Sequence, residues 1–80
     1  MTATIYTIDE NQSFTTVCNG DISTMIQFHT SEDTIFLDAS GNIVDFSALM
    51  PDMTVHIRFA DFMTASLPPQ TVAFEVQIAE

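Results

Sequence analysis

The chain has 80 residues and carries eleven carboxylates against one arginine, a formal net charge of −10. Its length makes one domain, and an apolar content of 46% with seven phenylalanines supplies a core that a disordered chain lacks. With Arg58 as the only fixed cation, affinity drawn from phosphates is out of reach, so neither direct nucleic-acid binding nor docking on an anionic membrane is expected.

The first residues, Met1 to Tyr6, have no basic region and no long apolar run, so they do not read as a secretion signal. Nothing in the chain has the length of a membrane span. Thr4-Ile5-Tyr6-Thr7-Ile8 predicts a first strand, broken at Asp9-Glu10-Asn11-Gln12. Ser13 to Cys18 predicts a second, stopped by Asn19-Gly20, two residues that tolerate positive φ and close a hairpin. Cys18 is the only cysteine, which excludes an intrachain disulfide and leans towards a cytoplasmic setting. Thr24 to His29 predicts a third strand and Thr34 to Leu37 a short fourth, with extended structure resuming at Ile43-Val44.

Asp45 then offers a capping residue before Phe46-Ser47-Ala48-Leu49, and Pro51 restricts this stretch to one short helical or 3₁₀ turn within residues 45–50. In Thr54 to Phe59 the apolar Val55, Ile57 and Phe59 alternate with Thr54, His56 and Arg58, the pattern of a half-buried strand. The last strand shows the same alternation, with Val72, Phe74, Val76 and Ile78 on one face and Ala73, Glu75 and Gln77 on the other. Between these two strands Pro68-Pro69 marks an extended loop. Short strands with turn signals every ten residues or so and a single helical turn predict an all-β fold, a small five- or six-stranded OB-like barrel over residues 1–80. An open sandwich is the second architecture. Proteins often guard sheet edges with lysine, and this chain has none, which favours closure.

The passage Gly41 to Ile57, with Leu49, Pro51, Val55 and Ile57 in the pattern Leu-x-Pro-Gly-x-x-Val-x-Val, resembles the segment that precedes a barrel strand in small OB-like domains. Phe62-Met63-Thr64-Ala65-Ser66-Leu67-Pro68-Pro69-Gln70 resembles a loop of the uncharacterised YobA-type domains of Firmicutes. The resemblance spans residues 42–78, about half of the chain, and implies a bacterial OB-like barrel without implying an activity. Asp52 stands where the family pattern has its turn glycine.

Few residues suggest chemistry. Cys18 with His29 or His56 has the residue types of a thiol–imidazole pair, but nucleophilic catalysis needs contact and an orienting third group, and a lone strand cysteine reads more simply as a small apolar residue. Asp38-x-Ser40-Gly41-Asn42 has the look of a calcium loop, yet its twelfth position is Leu49, which leaves a plain turn as the better reading. Paired zinc motifs and a glycine-rich phosphate loop are absent from the sequence. No cofactor or metal is expected, and the enzyme class ranks last.

Two contact regions remain. His56 and Arg58 share a polar strand face that could receive a carboxylate, against the simpler expectation that Arg58 pairs with a neighbouring acid. The loop residues Phe62, Met63, Thr64, Ser66, Leu67 and Gln70 combine adaptable apolar and polar groups; the simpler expectation is that the apolar ones cap the barrel end. The reading is a non-enzymatic binding module for a protein or peptide partner, with a basic partner suited to the charge. The alternatives are an acidic inhibitor that mimics nucleic acid and a homo-oligomeric structural protein, the simplest form being a homodimer.

Overall fold

A computed structural model describes residues 1–9 and 11–79. Seven strands run in the order β1 (Thr2–Asp9), β2 (Ser13–Cys18), β3 (Asp21–His29), β4 (Ile35–Leu37), β5 (Ile43–Val44), β6 (Thr54–Phe59) and β7 (Gln70–Ile78). A single 3₁₀ turn, Phe46–Ala48, separates β5 from β6. Five of the strands close a barrel: β1 pairs with β2 and β6, β2 with β3, β6 with β7, and the parallel contact of Gln27, Phe28 and His29 with Gln70, Thr71 and Val72 shuts the ring. The β4–β5 hairpin hangs from the second half of β7, with Phe36 opposite Val76. The expected closed, all-β barrel is therefore present. No helix among the described residues is long and apolar enough to cross a membrane.

The hairpin turn at Asn19-Gly20 forms as the residue types dictate, with φ of 56° and 72°. β2 and β6 have the expected bounds, whereas β1 begins earlier, at Thr2, and β3 reaches back to Asp21. The barrel interior is filled by Ile5, Phe14, Phe28, Val55, Ile57, Ala73 and Val76, all buried. Phe14 stacks on Phe28 at 5.4 Å between ring centres, and Phe28 meets the edge of Phe59 at 5.5 Å. Phe36 and Leu49 are buried in the same cluster, with Phe46 packed against it, so the β4–β5 hairpin and the 3₁₀ turn contribute to the core.

The pairing shifts register at three places, between Thr16 and Cys18 of β2 and at two bulges in β1 and β7, the last of which corrects one expectation. Ile5 faces Thr16 while Thr7 faces Thr15, leaving Tyr6 as an extra residue in β1. Arg58 faces Glu75 while Phe59 faces Ala73, leaving Phe74 as an extra residue in β7. Closing a small barrel demands this local curvature. Each bulge also inverts the alternation, so Thr71 and Ala73 point inward before Phe74, and Val76 after it. Val72 and Phe74 do not share the core face with Val76 and Ile78, as strict alternation had predicted; Phe74 is 44% exposed.

Candidate functional site

The loop between β6 and β7 is braced by its own polar groups. Thr64 donates its backbone N–H to the Gln70 carbonyl at 2.9 Å, and Gln70 returns its N–H to Thr64 Oγ1 at 3.0 Å. Thr64 Oγ1 lies 2.6 Å from Ser66 Oγ, which donates to the Pro68 carbonyl at 2.8 Å. Thr64 and Ser66 thus shape the loop. Gln70 anchors its base, with Oε1 2.7 Å from His29 Nε2. The loop also lies along β3, where Gln27 N–H bonds to the Pro69 carbonyl at 2.9 Å.

With the polar groups turned to bracing, the apolar ones face out. Phe62 is 57% exposed, Met63 41% and Leu67 95%. The expectation that they plug the barrel end is overturned, because they are exposed, while Phe36 and Leu49 are buried in the core with the 3₁₀ residue Phe46 packed against it. Leu67, Pro68 and Pro69 line a shallow apolar cleft with Ile22 and Met25 of β3. Ile22 falls before the predicted Thr24–His29 strand, which does include Met25, and nothing in the sequence places either residue beside the proline loop. Their only signal is the apolar pair itself, three residues apart after the Asn19-Gly20 turn.

Thr54, His56 and Arg58 are exposed on the outer face of β6, as their alternation requires. His56 Nδ1 is 2.8 Å from Thr2 Oγ1 across the β1–β6 pairing. Arg58 does not form the expected ion pair among the described residues. Although Glu75 is its register partner, its guanidinium carbon sits over the Phe74 ring, 5.8 Å from the centre. A small cleft joins His56 and Arg58 to Thr2, Glu75 and Gln77. It shares no residue with the loop cleft, so the two candidate regions remain separate.

The thiol and the imidazoles do not assemble into a pair. Cys18 is a half-buried free thiol whose Sγ approaches the Thr2 carbonyl at 3.9 Å, while His29 lies at the other end of the β2–β3 hairpin, opposite Ser13. The Asp38 carboxylate accepts the backbone N–H groups of Ser40 and Asn42, each at 2.9 Å, and the Asn42 side-chain amide at 3.3 Å. These bonds close the β4–β5 turn, with Gly41 at φ 87°, and hold the Asp38 carboxyl below the usual aspartate range. The Ser23 hydroxyl and backbone N–H lower Asp21 in the same way. No group of three or more potential metal ligands occurs among the described residues.

No family model, no curated protein and no solved structure matches this chain. Its residues and their geometry carry the functional reading.

Proposed function

We propose that the chain is a non-enzymatic binding module that takes a protein or peptide partner through the Phe62–Gln70 loop. One observation carries the reading: a loop braced by four hydrogen bonds of its own presents Leu67 almost fully to solvent. Holding apolar groups in water lowers stability, and ordering them in advance reduces the entropic cost of docking. Barrels of the OB type bind on strand faces flanked by such loops, and the Greek-key path of the five barrel strands supports that assignment here, in keeping with the YobA-type resemblance. A basic partner suits the −10 charge, which disfavours a second copy of the chain, nucleic acid or an anionic membrane. The unbridged thiol of Cys18 suits a reducing, cytoplasmic setting.

The test separates binding from folding. Alanine at Phe62, Met63 or Leu67, introduced one at a time, should abolish or strongly weaken capture of the partner and leave the melting temperature within about 4 °C of the parent, since an exposed substitution costs within about 0.5 kcal/mol. A drop of ten degrees or so would return these residues to a structural role.

A further inference from the structure

We infer that the β5 edge and the cleft beside it form a second docking surface, whose occupant is an extended partner segment carrying arginine or lysine. The inference rests on the binding-module reading but uses a different face of the molecule. It begins with the topology. The barrel removes its own edges by closing, but β5 ends the strand order and has β4 as its one neighbour. Asp38 N–H bonds to the Asn42 carbonyl, and the pairs Leu37–Ile43 and Phe36–Val44 continue in register. Antiparallel pairs alternate, so Val44 exchanges its backbone bonds with Phe36 while Ile43 turns its N–H and C=O to the outer edge. Its side chain is 82% exposed as well. Such an edge accepts an added strand.

The adjoining cleft, about 620 Å³, states the chemistry of that strand. Its floor is the edge-to-face pair of Phe36 and Phe46, 5.8 Å between centres. Its rim carries the exposed carboxylates of Glu32 and Asp45. Asp45 occupies the N-cap position of the 3₁₀ turn yet makes no side-chain capping bond, which leaves its oxygens for a ligand. Aromatic faces beneath carboxylates suit a cationic side chain with an apolar stem. A second copy of this chain would bring its own carboxylates and a charge of −10 to the same place, so it is the disfavoured occupant.

The experiment titrates the full ¹⁵N-labelled chain with an acetylated hexapeptide of alternating arginine and valine, and with its glutamate–valine counterpart. The expected result is saturable amide shifts at residues 31–36 and 43–47 with the arginine peptide alone. Affinity should fall about fivefold for Glu32→Gln with Asp45→Asn, the scale of two exposed ion pairs. It should also fall as salt rises from about 0.05 to 0.5 M, over which the Debye length shrinks well below 10 Å. Ile43→Pro, which removes the outward N–H without touching the β4 ladder, should abolish the shifts. Should that variant not fold, the carboxylate pair decides. Equal shifts with the glutamate peptide, or an unchanged affinity in the double variant, overturn the inference. Shifts confined to Phe62–Leu67 overturn it too, while leaving the binding-module reading intact. Partner capture that survives the loop alanines would instead overturn the loop reading and leave this cleft untouched.

Discussion

Arg58 lays its guanidinium over the ring of Phe74, 5.8 Å from the centre, rather than reaching for the carboxylate of Glu75 across the strand pair. The bulge makes this stacking available: as the unpaired residue of β7, Phe74 turns outward beside β6. Exposed cation–π contacts contribute about 0.5–1 kcal/mol. A double-mutant cycle with Arg58→Ala and Phe74→Ala should therefore return a coupling of that size by chemical denaturation. Arg58→Gln alone should lose it while keeping the aliphatic stem. A coupling indistinguishable from zero would mean that the ring and the cation merely lie side by side.

That pair also marks where sequence patterning stops. The Asn19-Gly20 turn, the bounds of β2 and β6 and the single 3₁₀ turn among the described residues follow from local rules, because each depends on residues close together in the chain, whereas closure joins Gln27–His29 to Gln70–Val72, far apart in sequence. The phase of β7 is not local either. Its apolar run alternates cleanly from Val72 to Ile78, yet closure inserts a bulge at Phe74 and throws Phe74 out while drawing Thr71 and Ala73 in. The curvature that demands the bulge belongs to the whole barrel. The candidate loop was legible as a loop from Pro68-Pro69, but the fate of its apolar residues depended on whether something else filled the core. Phe36 and Leu49, distant in sequence, settle that by doing so, with Phe46 packed against them.

Asp52 should be a place where the chain can be stabilised. It holds φ at +74°, in the left-handed region. Its backbone N–H donates to the Ile5 carbonyl at 2.8 Å, so the conformation is tied to the barrel wall. Glycine adopts this region without the clash that a Cβ causes. Asp52→Gly is expected to gain about 0.5–1 kcal/mol, less what the freer unfolded chain takes back, and to raise the melting temperature by a few degrees. Asp52→Asn removes the same charge and is the control for relieved repulsion. Asp52→Ala should destabilise. A glycine variant no more stable than the asparagine one would show that the left-handed backbone costs nothing here.

Thr16 offers a second gain. It is 1% exposed on β2, and its Oγ1 has no hydrogen-bond partner among the described residues. Burying a hydroxyl without a partner costs about 1–3 kcal/mol in proteins. Valine keeps the β-branched shape and replaces the hydroxyl with a methyl. Thr16→Val should therefore raise stability by about 1 kcal/mol in a urea melt with an unchanged slope. Loss of stability would instead show that the hydroxyl is satisfied by an ordered water in the barrel.

Asp38 should give the turn of the β4–β5 hairpin a dependence on pH. The backbone N–H of Asn42, first among its donors, and the Asn42 amide and Ser40 N–H favour the ionised carboxyl, so its folded value is lowered. A lowered folded value means that the unfolded chain binds the proton more readily. The stabilisation is complete above the ordinary aspartate value and is lost as pH falls through that value to the folded one. Acidification also removes the repulsion among the other carboxylates on a chain of net charge −10, which acts in the opposite direction at milder pH. The two effects separate by substitution. Asp38→Ala should lose stability at neutral pH, and the deficit relative to the parent should shrink towards an acid limit below the ordinary aspartate range, where the parent's own carboxyl becomes protonated. A ¹³C titration should place Asp38 and Asp21 below the usual aspartate range. A deficit that stays constant from neutral pH to that acid limit would mean that Asp38 holds the turn by shape alone, with its charge playing no part.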